Sequence, residues 1–348
     1  MNTIITHRLS LFLVFLYAVL PAFGHSNDTI SIMEWNVENL FDCRHDTLKN
    51  DHEFLPDGLR HWNYYRYRQK LDKIAKTIVA ATGNWNPPAL IALCEVENDS
   101  VLIALTRYSA LRELNYRFVM TDSPDQRGID VALLYQRDRF KLLGYESIGV
   151  TPLNDFRPTR DILHVTGLIT LQDTLDIYVV HAPSRSGGEM ASRPYRTHFA
   201  KTLMTEIEKT KAQRRTPKIL ILGDFNDFPE SPSISKILGA KAPEKEIDDN
   251  KLYHLLARQV KQHEEGSYKF RGEWNLLDHL IVSGSLLNTT NRIYTSESLA
   301  QIVHLPFLMT EDKTYGGKRP YRTYYGMKYE SGYSDHLPLL MQMIITAE

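Results

Sequence analysis

The sequence contains very little cysteine and almost no net charge. Two cysteines among 348 residues are too few for a disulfide scaffold or a cysteine-based zinc domain. The 41 Lys and Arg residues stand against 42 Asp and Glu residues, so the formal net charge is −1. That balance excludes a strongly basic nucleic-acid coat and an acidic disordered tail. The 18 Gly and 16 Pro residues, without any internal repeat, also exclude collagen-like and low-complexity architectures.

Long apolar runs are absent too, apart from residues 9–23, which read LSLFLVFLYAVLPAF after a short basic segment. This order is typical of a secretory signal peptide. The run is shorter than the ~20 residues of a membrane-spanning helix, and Pro21 interrupts it. We therefore expect cleavage of a signal peptide, residues 1–24, export to the periplasm, cell surface or medium, and no stable membrane insertion afterwards. In an exported chain, Cys43 and Cys94 can either form a disulfide or remain two free thiols, and the sequence is compatible with both.

Short apolar runs alternate with segments of helical periodicity along the remaining chain. No Pro, Gly or Ser-rich linker divides it, so residues 25–348 are predicted to form one α/β domain with two sheets and outer helices. The charged stretch 241–251 is predicted to be a surface loop. The predicted helices cover 71–79, 101–114 and 196–209, and the predicted strands cover 29–36, 89–95, 131–135, 162–171, 175–181, 218–223, 280–282 and 337–345.

Polar side chains occur where predicted strands end. Asn36, Glu95 and Asp224 each follow an apolar run, and Asp-His pairs begin at positions 278 and 335. Strand ends are rigid points that meet solvent, so side chains there can converge on one site. Amide and carboxylate oxygens are hard ligands that suit Mg²⁺ or Mn²⁺ better than zinc. Such an ion polarises a phosphoryl oxygen, and histidines can act beside it as acid, base or charge stabiliser.

Each motif alone has an ordinary explanation, because Asp, Asn and Gly favour turns. Their combined order is more specific. The stretches WNVENLFD, LCEVEN, RGIDVALLY, HAPSRSGG, LGDFND, LDHLIVS and SDHLP extend from Trp35 to Pro338. In that order the sequence resembles the endonuclease/exonuclease/phosphatase superfamily, which has the deoxyribonuclease I-like fold. The resemblance implies a four-layer α/β sandwich, two central sheets between helical layers, with the site at one sheet edge.

The resemblance also implies a divalent-metal centre. Asn36 and Glu95 match its metal-binding pair, with Glu95 as the principal ligand, and Asp335 matches a further carboxylate on the metal side. Mg²⁺ is the expected cofactor, with Mn²⁺ as the alternative.

Five further residues match catalytic positions of the superfamily. Asp224 and Asn226 match the pair that positions the attacking water and the scissile phosphate. His336 matches the catalytic histidine and Asp278 the carboxylate that orients it, while His181 matches a second histidine that faces the phosphate. Asp224 and His336 both stay open as the group that removes the proton from water.

Three more assignments concern side chains around this centre. Asp130, in RGIDVALLY, is the candidate for orienting His181. Arg160 resembles an arginine that contacts phosphate in the nuclease members, with Arg157 as the rival choice. Arg185 is a candidate for binding a substrate phosphate.

The substrate is predicted from two stretches in which aromatic and basic residues interleave, 61–68 and 313–333. Aromatic rings can stack on bases and cations can follow phosphates, which favours a secreted nuclease with nucleic acid as substrate. The alternative is a small-molecule or lipid phosphoesterase of the inositol-phosphate phosphatase or sphingomyelinase type. A catalytically dead binding module is disfavoured because every ligand position is present. No protein partner is evident, and we expect a monomer.

Overall fold

The computed structural model describes residues 27–83, 86–153, 158–169, 173–260 and 264–346. The predicted signal peptide and Arg157 lie outside these residues. Within them, three α-helices form: α1 (Tyr64–Ala80), α2 (Asp99–Tyr108) and α3 (Glu189–Gln213). No helix of the described part has the length and apolar character of a membrane span.

The first β-sheet has seven strands and carries the amino-terminal half of the site. Its strands are β1 (Asp28–Leu40), β2 (Leu90–Val96), β3 (Tyr116–Met120), β4 (Asp130–Gln136), β13 (Ile293–Tyr294), β14 (Ala300–Ile302) and β19 (Leu339–Ile345). They run in the order β13-β19-β1-β2-β4-β3, with β14 also paired to β19. Strands β1 and β2 are parallel, so their carboxyl ends lie at the same edge.

The second β-sheet has six strands in the order β5-β6-β7-β8-β12-β9. Its strands are β5 (Lys141–Ile148), β6 (Ile162–Leu168), β7 (Thr174–His181), β8 (Ile219–Asp224), β9 (Leu252–His254) and β12 (Asp278–Ser283). Strands β7 and β8 are parallel and end opposite each other at His181 and Asp224. Strand β12 runs antiparallel to β8, so its first residue, Asp278, also lies opposite Asp224.

Three two-stranded hairpins lie outside the two sheets, and residues of all three line one cavity beside Asp335. They pair β10 (Tyr268–Phe270) with β11 (Glu273–Asn275), β15 (Met309–Glu311) with β16 (Lys318–Pro320), and β17 (Tyr324–Tyr325) with β18 (Lys328–Tyr329).

The core has one apolar cluster between the sheets and one under each helical layer. Between the sheets, Ile32 and Leu133 of the first pack with Val179 of the second. Helices α1 and α2 cover the other face of the first sheet, and α3 covers the second. This arrangement confirms the predicted four-layer α/β sandwich. Both cysteines are free thiols, which decides between the two alternatives, and Cys94 is buried.

Gly223 explains how β7 and β8 approach closely just before the site. Its φ is +139°, and a Cβ at this position would lie 1.9 Å from the carbonyl oxygen of Val180. Any larger residue would therefore push the strands apart directly before Asp224. The charged stretch 241–251 is a loop, as predicted, apart from a single bridge between Lys241 and Tyr253.

Candidate active site

His336 and Asp278 form a buried ion pair in which Nδ1 lies 2.7 Å from Oδ2. The Ser267 hydroxyl donates a hydrogen bond to the same carboxylate oxygen. Burial alone would lower the pKa of His336, but the charge and hydrogen bond of Asp278 outweigh it and raise that pKa well above its usual range. The imidazole is therefore held as a cation, with Nδ1 bound to Asp278 and Nε2 directed to the site.

Asp224 lies between the two histidines. Its Oδ2 is 3.6 Å from Nε2 of His181 and 3.9 Å from Nε2 of His336. The same oxygen accepts a hydrogen bond of 3.1 Å from the Asn36 amide, and Oδ1 accepts one of 2.8 Å from the Asn226 backbone. Burial and the charge of Asp278 raise the pKa of Asp224 to about 7. A carboxylate with that pKa can take a proton from water near neutral pH.

The two histidines have opposite protonation preferences. Burial and the charge of Arg160 lower the pKa of His181 well below its usual range, so this imidazole is neutral. Its Nδ1 atom is buried and has no hydrogen-bond partner within the described residues. A cationic His336 and a neutral His181 therefore flank Asp224. His336 can stabilise negative charge, and His181 can donate a hydrogen bond.

Glu95 stands at an irregularity in the first sheet. The pairing register shifts between Cys94 and Val96 on the β4 side, which turns the Glu95 side chain out of the regular alternation. Its Oε2 accepts a 2.8 Å hydrogen bond from the Asn39 backbone. Its Oε1 lies 3.9 Å from Nη2 of Arg127 and 4.0 Å from Nε2 of His181, beyond hydrogen-bond distance from both.

Backbone strain is concentrated at this edge. Eight described residues other than glycine have positive φ, and Glu38, Asn39, Glu95 and Asn226 are four of them. Such conformations persist only where surrounding contacts impose them, and they cluster at functional sites.

Asp335 belongs to a charged network behind His336. Nη2 of Arg322 lies 2.7 Å from Oδ2 of Asp335, and its Nε lies 3.6 Å from Oε1 of Glu38. Although burial acts in the opposite direction, the charge of Arg322 keeps the pKa of Asp335 below its usual range. Burial and the charge of Asp335 raise the pKa of Glu38 to about 7. The buried Lys70 donates hydrogen bonds nearby and has a pKa lowered to about 8 by burial.

The donor chemistry of this edge fits a divalent cation. Asn36, Glu95 and Asp335 offer amide and carboxylate oxygens at one edge, and Asp224, Asp278 and His336 bring ligand atoms within 4.8 Å of one another. Besides burial, the charges of Asp278 and Glu95 raise the pKa of Asp224, so the carboxylates of this edge repel one another. A hard divalent ion would reduce that repulsion.

The structure does not pair Asp130 with His181. The Asp130 carboxylate accepts hydrogen bonds from the Thr121 hydroxyl at 2.5 Å and the Ser123 backbone at 3.1 Å. Asp130 therefore braces the segment between β3 and β4. In the same motif, Arg127 is the residue that reaches Glu95, and its guanidinium donates to Asn39.

Arg160 does not face the site with a free guanidinium either. It is buried, and its Nε and Nη2 donate to the carbonyls of His181 and Ala182 at 3.2 and 2.6 Å. Its Nη1 lies 3.3 Å from Asp125. These contacts fix the end of β7 and so position His181, a role that differs from the expected phosphate contact.

Arg185 is half-buried and near enough to Asp224 to feel its charge. Its guanidinium lies over the Phe228 ring at 4.6 Å and donates a 3.3 Å hydrogen bond to Asn275. Burial and the charge of Arg196 lower the pKa of Arg185, and the charge of Asp224 opposes this shift.

The two aromatic and basic stretches pack largely against each other. Arg66 lies 4.2 Å from the centre of the Tyr329 ring, and Arg60 lies 4.9 Å from that of Tyr324. Tyr324 is buried. Much of the pattern that predicts polynucleotide binding is therefore structural, and Arg322 is engaged with Asp335.

A smaller aromatic set remains exposed around a cavity of about 280 Å³ next to Asp335. Phe270, Tyr315 and Tyr325 are 54%, 52% and 40% exposed. Arg319 lies 4.7 Å from the centre of the Tyr325 ring while its guanidinium pairs with Glu330. The cavity therefore combines exposed rings with cations directly beside the candidate metal side.

Comparison with known proteins places this chain in a family. Residues 31–344 match the sequence profile of the Endonuclease/Exonuclease/phosphatase family. No curated protein matches the chain. Similar solved structures include humanized D. rerio TDP2, with 15% identity, a TM-score of 0.55, and coverage of 90% of this chain and 98% of that one.

Two further structures give the same fold. The human Nocturnin catalytic domain has 16% identity and a TM-score of 0.53, with 92% of this chain and 98% of that one covered. A Bacteroides thetaiotaomicron family protein has 13% identity and a TM-score of 0.56, with 92% and 100% covered. The chain belongs to the endonuclease/exonuclease/phosphatase family, whose members are metal-dependent phosphoric ester hydrolases.

Proposed function

We propose that this phosphoester hydrolase is a secreted nuclease that depends on Mg²⁺, with Mn²⁺ as a substitute. The observation that carries the nuclease assignment is the cavity beside Asp335, where Phe270, Tyr315 and Tyr325 expose their rings next to cations. Exposed rings stack on nucleobases, and each stacked base contributes about 1–3 kcal/mol of binding free energy. D. rerio TDP2 has been solved with a single-strand DNA product, which supports a polynucleotide substrate on this fold.

The proposed reaction is a single in-line attack of water on phosphorus, without a covalent intermediate: the ester P–O bond breaks as the bond to water forms, and the leaving oxygen takes up a proton from solvent. Asp224, with its pKa of about 7, accepts the proton of the attacking water, and the Asn226 backbone fixes the other carboxylate oxygen. The cationic His336 stabilises negative charge on the phosphoryl oxygens, and the neutral His181 donates a hydrogen bond. Asn36, Glu95 and Asp335 would hold the divalent ion, which supplies Lewis-acid polarisation of the phosphoryl group.

The site assignments can be tested separately from the substrate. Arg185 is the candidate for binding a substrate phosphate, so Arg185→Ala should raise KM for oligonucleotides. We also propose that the enzyme acts as a monomer, residues 25–348, after export and removal of residues 1–24. Mass spectrometry of the exported protein and light scattering in solution test those two proposals.

A substrate panel tests the nuclease assignment. The mature chain is assayed with plasmid DNA, single-stranded DNA, RNA, a chromogenic phosphodiester, inositol phosphates and sphingomyelin, in Mg²⁺, Mn²⁺ or EDTA. The variants are Tyr325→Ala and, as a matched control, Tyr145→Ala, because Tyr145 is an exposed tyrosine on the outer strand β5.

We expect EDTA to abolish cleavage of the polynucleotides. Tyr325→Ala should raise KM for an oligonucleotide by about fivefold or more, the lower bound for one lost stacked base. It should leave the chromogenic diester unaffected, and Tyr145→Ala should change neither. Cleavage of inositol phosphate or sphingomyelin with polynucleotides untouched would reject the nuclease in favour of the small-molecule or lipid phosphoesterase.

A further inference from the structure

His45, Asp51 and His52 form a cluster away from the catalytic edge, in the loop that follows β1. Each side chain offers one ligand atom, and these atoms lie within 4.8 Å of one another. Nδ1 of His45 is 2.5 Å from Oδ1 of Asp51. The two imidazole rings are stacked with their centres 4.2 Å apart and their planes at 30°.

Asp51 is buried without a strong cation beside it. Its side chain is 2% exposed, and no Lys or Arg of the described residues lies within 4 Å of its carboxylate. The His45 imidazole is its side-chain partner, and Oδ2 accepts a 2.8 Å hydrogen bond from the Asp46 backbone. Buried carboxylates are normally compensated by a paired cation or by a metal. Two histidines that meet at such a carboxylate make the metal the better match.

The loop is held in place from outside the cluster. The Lys49 ammonium donates to the carbonyls of Ser123 and Asp125, at 2.5 and 3.3 Å. The Asn50 backbone donates to Gln126 at 2.7 Å, and Phe54 stacks on Phe41 with ring centres 4.4 Å apart. Because these contacts fix both flanks, the three ligands need no refolding to meet an ion, which reduces the entropic cost of binding.

We propose that His45, Asp51 and His52 bind a transition-metal ion, zinc in particular, at a site separate from the catalytic centre. Imidazole nitrogens select transition metals, whereas the oxygen-rich catalytic edge suits Mg²⁺. Zinc lies about 2.0–2.2 Å from nitrogen and carboxylate ligands in a tetrahedral arrangement, so ligand atoms on one ion are about 3.3–3.6 Å apart. The His45 and Asp51 atoms, now 2.5 Å apart, would separate by about 1 Å, and the other ligand atoms, all within 4.8 Å, would close by a similar amount through side-chain rotation. The ion would tie the two ends of the segment 45–52 to each other.

Zinc retention tests the site. The mature chain carrying Glu95→Gln, which weakens metal binding at the catalytic edge, is the parent in every arm. His52→Gln and the double variant His45→Gln/His52→Gln are compared with His198→Gln. His198 is a matched control because its imidazole lies on α3 and contacts the Thr151 carbonyl, outside the cluster. Each protein is stripped with chelator, loaded with zinc, dialysed against Mg²⁺ and analysed for bound metal.

We expect the parent and His198→Gln to retain a single equivalent of zinc and the double variant to retain none. His52 is exposed, so His52→Gln should keep the fold and weaken zinc affinity by about tenfold or more. Replacing zinc with Co²⁺ should give visible absorption that the double variant lacks. Equal zinc retention in all four proteins, or unchanged affinity in His52→Gln, would refute the site even if the double variant fails to fold.

Discussion

The pair of His336 and Asp278 predicts how the rate depends on pH. Asp278→Asn keeps the shape of the side chain and removes its charge. Since the charge of Asp278 raises the pKa values of both His336 and Asp224, its removal should lower both. Activity needs a protonated His336 and an ionised Asp224 in the proposed mechanism. The alkaline limb and the acidic limb of the rate profile should therefore both move to lower pH.

The size of the shift follows from the geometry. Nδ1 and Oδ2 are 2.7 Å apart, so the charge centres are about 4 Å apart and interact by about 4 kcal/mol at an effective dielectric of about 20. That energy corresponds to at most about three pKa units, and a shift of about 1–3 units is typical of a charge partner. The Asn amide oxygen can still accept from His336, but a neutral hydrogen bond is about half as strong as the charge-assisted one of about 1.5–3 kcal/mol, so kcat should fall by about 3- to 10-fold.

The assay is kcat and kcat/KM against pH, with a chromogenic phosphodiester in saturating Mg²⁺. Ser267→Ala is the matched control, because it removes the other hydrogen bond to Asp278 and keeps the charge. The acidic and alkaline limbs of its rate profile should stay close to those of the unsubstituted enzyme. A lower rate with both limbs of Asp278→Asn unmoved would show that Asp278 does not set the ionisation of the site.

Three further predictions concern metal binding, strand approach and acid stability. Glu95→Gln should lower Mg²⁺-dependent turnover by at least about 100-fold while circular dichroism stays unchanged; full turnover would refute the metal assignment. Gly223→Ala should destabilise the fold by about 3 kcal/mol or more in urea unfolding, since its Cβ would overlap the Val180 carbonyl; unchanged stability would contradict this. Despite burial, hydrogen bonds from His164 and Arg214 lower the pKa of Asp176 from 3.8 to about 2. Asp176 therefore contributes roughly 2 kcal/mol above pH 3.8 that is lost as pH falls towards 2, and Asp176→Asn should flatten the acid dependence of unfolding.

The sequence predicts the two sheets because buried parallel strands such as β2 and β8 read as continuous apolar runs. It misses β5, whose mostly exposed side chains, Leu143 and Tyr145 among them, follow no inward and outward alternation. It also misses the hairpins, because strands of two or three residues carry too little periodicity to detect.

At the site, strand ends identify Asn36, Glu95 and Asp224 because each strand carries one side chain to the common edge. Partners across the fold are harder to predict. Arg127 and Asp130 stand three residues apart in one motif, yet Arg127 lies 3.9 Å from Glu95 while Asp130 binds Thr121 and Ser123.

Chain composition misleads where the same residues can stack on bases or on each other. Arg66 and Tyr329 look like nucleic-acid contacts in sequence, yet they pair together across 263 positions. Tyr325 lies in the same aromatic and basic stretch as Tyr329, yet its side chain stays exposed. Only the tertiary packing of α1 against the final hairpins separates the two outcomes.

The catalytic edge is divided between the two sheets. Asn36 and Glu95 stand on the first, and His181, Asp224 and Asp278 on the second. The Asn36–Asp224 hydrogen bond crosses this divide, with a bond from the Cys94 thiol to the Val180 carbonyl behind it. A displacement of about 1 Å can lower a rate by about 100-fold. The turnover rate therefore depends on how closely the two sheets are packed together. On heating, activity should be lost when the sheets shift relative to each other, before either sheet unfolds.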